Sequence, residues 1–172
     1  MTKVHNNTCM GNGHSLILKF TVKWIGNFPV AACVVFKNGK PLKKEYRHYN
    51  IKTVEGPDDF ASMEEVIFRR YKRLIIENKS LPQLVIVDGG KGQLSSALKS
   101  LKKLDLDKKI PIIGIAKRLE EIYYPGDKYP LYLDKKTPTL KVIQSMRNEA
   151  HRFGITHHRN RRLLIKKLAW FH

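Results

Sequence analysis

Runs of apolar residues at strand length open the chain and predict an antiparallel meander. Residues 16–22 form one such run, and residues 30–36 form a denser one. Asn38-Gly39 follows directly, and this pair is typical of a tight hairpin turn because both residues tolerate positive φ. Residues 42–51 are the predicted return strand. Three antiparallel strands are therefore expected at the start of the fold.

Helical spacing follows. Ser62 and Glu65 have the spacing of a capping box, and apolar side chains then recur at helical intervals up to Ile75. Ser80-Leu81-Pro82 is expected to end this helix. The apolar runs 84–87 and 111–116 are typical of strands buried on both faces. An amphipathic segment lies between these two runs, which predicts a parallel β-α-β crossover.

The rest of the pattern completes an α/β fold. Residues 122–133 contain a small predicted hairpin, and Thr137-Pro138 opens a last helix that is expected to run to about Phe153. The predicted order is β-β-β-α-β-α-β-(β-β)-α. Such an order gives a mixed β-sheet flanked by helices.

Charge points to a polyanionic partner. The 172 residues are 42% apolar, which suffices for one domain with its own core. Lys and Arg number 33 against 15 Asp and Glu, so the net charge is +18 and nucleic acid is the first candidate partner. An anionic membrane surface and a solvated basic surface are the alternatives. The sequence contains no spanning segment and no signal-peptide pattern, and its two cysteines suit a reducing compartment, so a cytoplasmic chain without a membrane partner is expected.

Asp88 is the first candidate for chemistry. It ends an apolar strand directly before the glycine turn 89–92, and ligands of open α/β sheets bind at the carboxyl ends of strands. A carboxylate there can hold Mg²⁺ or Mn²⁺. Asp88 capping the following helix is an equally good reading of the spacing. Lys91 adds a positive charge to the turn, whose glycines would allow phosphate to approach the backbone.

His151 and a carboxylate pair are the other candidates. On an ideal helix His151 shares a stripe with Leu140 and Arg147, beside the apolar face, where an imidazole can act as a base or a metal ligand. A hydrogen-bonded histidine on the shoulder of the core is the alternative. Asp58 and Asp59 precede a helix, so capping is the ordinary role and a metal or water contact the sharper one.

Several segments combine into a pattern that is more specific than composition. In chain order they are Tyr46-Arg47, residues 51–63, residues 69–71, residues 87–94 (VDGGKGQL), residues 114–117, residues 147–153 (RNEAHRF) and His158-Arg159. Together they closely resemble UvrC, the nuclease subunit of the bacterial UvrABC nucleotide excision repair system. The resemblance is to the C-terminal endonuclease domain of that family.

The resemblance implies a ribonuclease H-like fold and a reaction. It implies incision of damaged double-stranded DNA on the 5′ side of a lesion, with Mg²⁺ or Mn²⁺ and with the companion subunits UvrB and UvrA. The family uses two aspartates and a histidine: Asp88 and His151 match two of these, with Asp88 a metal ligand, and Asp59 matches a further, supporting aspartate. The candidates for contacts with the DNA backbone are Lys91, Arg118, Arg147, Arg152 and Arg159.

The first strand departs from the family pattern. Counting back from Pro29 places Phe20 where the family has its first catalytic aspartate, and residues 18–22 contain no carboxylate. The alternative function is therefore a catalytically impaired fragment that binds DNA or a partner. Residues 1–25 are interpreted as a divergent segment, 26–160 as the endonuclease domain and 161–172 as a divergent basic tail. A shifted reading frame at both ends is one hypothesis.

Overall fold

The protein is described by a computed structural model that covers residues 16–25, 28–116, 121–134 and 136–169. For residues 23–25, 28–29 and 157–169 only the backbone is described. The strands are β1 (Leu16–Ile25), β2 (Phe28–Lys37), β3 (Lys40–Pro41), β4 (Arg47–Asn50), β5 (Leu84–Asp88), β6 (Ile112–Ile115), β7 (Glu121–Tyr123) and β8 (Leu131–Tyr132). The α-helices are α1 (Asp59–Ile76), α2 (Lys91–Lys102) and α3 (Pro138–Ala169).

All eight strands belong to one mixed sheet. Its order is β3-β2-β1-β5-β6-β7-β8, with β4 paired to β2. Strand β1 is antiparallel to β2 and parallel to β5, and β5 is parallel to β6. The predicted meander, crossover and terminal hairpin are confirmed, and with them the α/β, ribonuclease H-like fold class.

The hairpin turn forms as predicted, but the return strand does not remain intact. Asn38 and Gly39 have φ values of 52° and 73°, as a turn with two positive-φ residues requires. The predicted strand over 42–51 is replaced by β3, a 3₁₀ turn (Lys43–Glu45) and β4. Pairing with β2 continues past Pro41, since the N–H of Leu42 donates to the Val35 carbonyl at 2.8 Å. It is interrupted where the N–H groups of Glu45 and Tyr46 donate within the turn, to the carbonyls of Leu42 and Lys43.

The predicted capping box of Ser62 and Glu65 is wrong, because α1 begins at Asp59, three residues before Ser62. Asp58 is the N-cap, and its carboxylate accepts hydrogen bonds from the N–H groups of Phe60 and Ala61 at 2.8 and 2.9 Å. The Ser62 hydroxyl instead donates to the Asp58 carbonyl. Glu65 accepts from the N–H groups of Lys52 and Thr53, so it fastens the preceding loop to the helix.

The end of α1 is set by Asn78 rather than by Pro82. Asn78 has φ of 49°, its N–H donates to the Ile75 carbonyl, and the N–H of Lys79 donates to the Leu74 carbonyl. This pair of bonds is a Schellman motif. The helix therefore ends at Ile76, four residues before Ser80.

The helices cover opposite faces of the sheet. Along β1, Leu18 and Phe20 face α1, and the ring of Phe20 lies 6.3 Å from that of Tyr71. Ile17, Lys19 and Thr21 alternate with them and face α3, because successive side chains of a strand point to opposite faces. The apolar stripe predicted for α3 is confirmed: Ile143, Met146 and Ala150 are buried.

Helix α3 continues to Ala169, well beyond the predicted end at Phe153, and the basic segment 159–167 lies within it. None of the helices in the described part of the chain is both long enough and apolar enough to span a bilayer.

Candidate functional site

A cleft of about 810 Å³ opens at the carboxyl ends of β5 and β6. The parts of the fold that meet there are β1, the start of α1, the turn from β5 into α2, the end of β6, the start of β7 and the middle of α3. The residues that line it are Thr21, Val22, Asp59, Asp88, Gly89, Gly90, Gln93, Ala116, Glu121, Arg147 and His151. The structure therefore brings together Asp88, His151 and Asp59, which come from three separate segments of the sequence.

Asp88 ends β5, and the turn after it is tightly packed. The N–H of Gly89 donates to the Ile115 carbonyl at 2.8 Å, which holds the turn against β6. A Cβ at Gly114 would lie 2.8 Å from the Gly89 carbonyl oxygen, so only glycine fits on β6 at this point. Gly90 is the N-cap of α2, and no side chain caps that helix. Capping by Asp88, the alternative left open by the spacing, is therefore wrong.

A buried lysine stands beside Asp88. Lys19 is 0% exposed, and its Nζ lies 3.7 Å from Oδ1 of Asp88. This separation is an ion pair but exceeds hydrogen-bonding distance, and Nζ has no hydrogen-bond partner among the described residues. Burial lowers the pKa of Lys19 from its ordinary value, the Asp88 carboxylate raises it, and the Arg147 guanidinium lowers it further. Asp88 thus lies between Arg147, which lines the cleft, and Lys19, which is buried behind the cleft surface.

The two neighbouring aspartates at the start of α1 have different positions. Asp58 caps the helix, as described above. Asp59 is the first residue of the helix, is exposed and lines the cleft. The capping role expected for the pair therefore falls to Asp58, and Asp59 is the carboxylate available to a ligand.

Helix α3 supplies the wall opposite this corner. His151 is exposed at the cleft, and the half-buried Arg147 lies one turn before it, on the stripe predicted from the sequence. Glu149, by contrast, accepts hydrogen bonds from the Tyr46 hydroxyl at 3.1 Å and from the Arg152 guanidinium at 2.7 and 2.8 Å. The Arg152 hydrogen bonds hold the pKa of Glu149 below its ordinary value.

The β1 wall differs from the count made on the sequence. Phe20 is fully buried on the α1 face and does not line the cleft. Phe20 pairs with Val87, so the next residue, Thr21, lies level with Asp88 and on the same face of the sheet. Both Thr21 and Asp88 line the cleft. The structure thus presents Thr21 rather than Phe20 to the cleft, and the count that places Phe20 at the family's first aspartate position stays a prediction. In either register, the strand brings no carboxylate to the cleft.

The predicted DNA-contacting residues are only partly placed. Arg147 lines the cleft. Lys91 begins α2, and its Nζ donates to the Lys128 carbonyl and lies 5.9 Å from the centre of the Tyr123 ring. Arg152 is exposed and paired with Glu149. Arg118 lies outside the described residues, as does the side chain of Arg159, whose backbone belongs to α3.

The sequence reasoning did not single out four polar residues at the cleft or directly behind it: Lys19, Thr21, Gln93 and Glu121. Lys19 and Thr21 alternate with Leu18 and Phe20, and this period-2 pattern already places both polar side chains on one face of β1. Gln93 belongs to the recognised segment 87–94. Glu121 carried no signal, since it follows residues 117–120 without a motif.

These residues do not fit a resident divalent cation. Such an ion takes about six oxygen ligands and usually one or two carboxylates. Within the described ranges, no three His, Cys, Asp or Glu side chains approach closely enough to hold one. The Lys19 amino group also stands at the carboxylate that would be the first ligand.

Comparison with known proteins assigns a family to most of the chain. The sequence model of the UvrC RNAse H endonuclease domain matches residues 22–155. The chain is 74% identical to "UvrABC system protein C" of Flavobacterium johnsoniae over 137 residues, which are 80% of this chain and 23% of that protein. The protein of the same name from Methanococcus maripaludis is 56% identical over 142 residues, which are 83% of this chain and 26% of that protein.

The chain therefore spans about a quarter of the length of the curated relatives it matches. Among solved structures, endonuclease V of Ciona intestinalis in complex with inosine-containing DNA is similar at a TM-score of 0.46 and 18% identity. The similarity covers 79% of this chain and 56% of the other.

Proposed function

Because this chain belongs to the family of UvrC RNase H endonuclease domains, we propose that it engages damaged double-stranded DNA as the 5′-incision domain of a nucleotide excision repair nuclease. The observation that carries the proposal is the convergence of Asp88, His151 and Asp59 on one cleft. We further propose that residues 26–160 form this domain, with divergent ends at 1–25 and 161–172.

The charge of the chain supports a DNA ligand. A net charge of +18 attracts the phosphate backbone, and Arg147 presents a cation inside the cleft. His151, one helical turn away, is exposed at the same cleft, and an imidazole there is of the right type to serve as a general base. In this proposal Arg147 positions the backbone and His151 handles the proton. The damage-recognition partners are UvrA and UvrB.

The family proposal also includes Mg²⁺ or Mn²⁺ at Asp88. Since the residues around Asp88 in this chain do not fit such an ion, we assign no metal-dependent step to it. This favours a second candidate function, a cleavage-impaired module that binds DNA or a repair partner. The specific observation in its favour is the β1 wall, where Thr21 and Lys19 stand in place of a carboxylate.

One experiment separates the two candidates. The 172-residue chain is mixed with UvrA, UvrB and Mg²⁺ on a duplex that carries a single lesion, and both binding and 5′ nicking are measured. Asp88→Ala is the matched control. Nicking that disappears in the control supports the incision domain. Salt-dependent binding that survives in the control, without nicking in either protein, supports the impaired module. A chain that neither binds nor nicks the duplex contradicts both.

A further inference from the structure

The Lys19 side chain occupies an unusual position for a charged group. Its backbone pairs with Ile86, two residues before Asp88 on the same face of the sheet, so the long side chain extends toward the strand end. Its amino group is buried, 3.7 Å from the Asp88 carboxylate. Lysine is almost never fully buried unless a counter-charge is present, and Asp88 supplies that counter-charge here.

The remaining groups around Asp88 reinforce this arrangement. Thr21 is the other β1 side chain on this face at the cleft, and it brings a hydroxyl in place of a second anionic ligand. Arg147 reaches into the same region from α3. A divalent ion at Asp88 would therefore lie next to the positive charges of Lys19 and Arg147, whereas a phosphate in the cleft would meet the Arg147 guanidinium, with the Asp88 charge already balanced by the buried Lys19.

We propose that the Lys19 amino group takes the place of a divalent cation beside Asp88, so that the cleft binds the phosphate backbone of DNA without a metal ion. The identity of the phosphate ligand rests on the proposed function. The exclusion of metal from Asp88 does not, since it follows from the charges within the chain.

Binding of Mn²⁺, followed by electron paramagnetic resonance, tests the exclusion directly. The full chain is titrated as wild type, Lys19→Gln, Lys19→Met/Thr21→Asp and the control Lys37→Met, which removes a lysine from the far end of β2. The double variant is expected to bind one Mn²⁺ at least about tenfold more tightly than wild type, because a repulsive charge is removed and a ligand added. Lys19→Gln is expected to lie between them, and Lys37→Met to match wild type.

Circular dichroism melts identify any variant that fails to fold, and Lys19→Gln serves if the double variant does not. Wild type that binds one Mn²⁺ as tightly as Lys19→Gln and the double variant, and loses it on Asp88→Ala, overturns the proposal.

Fluorescence anisotropy with a labelled lesion duplex tests the second part. Wild-type affinity is expected to be the same in EDTA and in Mg²⁺ at matched ionic strength, and to fall in Lys19→Gln. A wild-type affinity that depends on Mg²⁺ contradicts metal-free binding. If wild type binds no DNA under either condition, the proposed function fails, while the Mn²⁺ titration still decides the exclusion of metal.

Discussion

The two sides of the cleft show that a sequence can specify a strand without specifying the reactive side chain expected on it. The wall made by β5 and the turn into α2 carries its family motif, with Asp88 at the strand end and a turn held tightly against β6. The β1 wall pairs along its whole length with β2 and over four residues with β5, and it buries Leu18 and Phe20. It nevertheless places only a threonine at the cleft on the Asp88 face, with a buried lysine behind Asp88. Alternating apolar residues are enough to build a strand, whereas a reactive site needs one particular side chain at one position.

The largest change in stability is expected on β1, between variants that place a carboxylate at the neighbouring positions Phe20 and Thr21. Phe20→Asp would place an unpaired carboxylate in the core beside Tyr71 and remove a buried ring, at a cost of about 4 kcal/mol or more. Thr21→Asp would place its carboxylate in the cleft near Lys19 and should cost less than about 2 kcal/mol. Urea unfolding of both variants measures the difference. Equal stabilities, or a less stable Thr21→Asp, would contradict the assignment of Thr21 to the cleft.

The next largest change in stability is expected on the opposite side of the cleft, where the turn after Asp88 packs closely against β6. Gly114→Ala would force a methyl group to within 2.8 Å of the Gly89 carbonyl oxygen, and we expect a loss of about 1–3 kcal/mol in the free energy of unfolding. Gly90→Ala is the matched control because its Cβ would meet only the Tyr123 ring at 3.9 Å, and it should cost less than about 1 kcal/mol. Thermal unfolding of the two variants is the measurement. A Gly114→Ala protein as stable as wild type would show that the turn after Asp88 can shift freely.

A smaller change in stability is expected for the neighbouring aspartates Asp58 and Asp59, of which the first caps α1 and the second lines the cleft. Asp58→Ala removes the N-cap of α1 and should cost about 1 kcal/mol. Asp59→Ala leaves that cap in place and should change the stability by less than about 0.5 kcal/mol. Chemical denaturation compares them. If Asp59→Ala is the more destabilising change, Asp59 is a structural residue and its role in the cleft is wrong.

The smallest effect is expected for Glu149, a carboxylate on α3 that is not among the residues lining the cleft. The pKa of Glu149 is lowered in the folded chain by its hydrogen bonds from Arg152 and Tyr46. Its contribution is therefore fully present above the unfolded pKa of about 4.3 and is lost as the pH falls through the lower folded value. Glu149→Gln should remove less than about 1 kcal/mol at pH 7 and flatten the acid limb of stability. A variant whose acid limb matches wild type would show that other carboxylates control it.

The sequence predicted the sheet well because its signals were local. Dense apolar runs gave β2, β5 and β6, and Asn38-Gly39 gave the turn between β2 and β3. The divided return strand was missed because the 3₁₀ turn at Lys43–Glu45 is closed by backbone hydrogen bonds, for which residues 42–46 carry no turn signal. The start of α1 was misplaced because Ser62 and Glu65 fit a capping box equally well as interior residues that bond to Asp58 and the loop.

The site was predictable where motif and strand end coincide. Asp88 and His151 were found through their segments, and the stripe on α3 gave Arg147. Thr21 was missed because the count from Pro29 singled out Phe20, and neighbouring side chains of a strand point to opposite faces of the sheet. The Lys19–Asp88 ion pair depends on the register of β1 with β5, in which Lys19 pairs with Ile86, 67 residues later in the chain. No local pattern in the sequence encodes that register.

The length of α3 sets a scale for contact with a duplex. His151 and Ala169 belong to one continuous helix, so about 27 Å of rigid rod extends from the cleft at 1.5 Å per residue. That distance is about eight base-pair steps of B-form DNA at 3.4 Å each. Five of the residues 159–167 are arginine or lysine. If the proposed DNA ligand lies along this helix, the protein extends further over the duplex on one side of His151 than on the other, and its protection footprint is asymmetric.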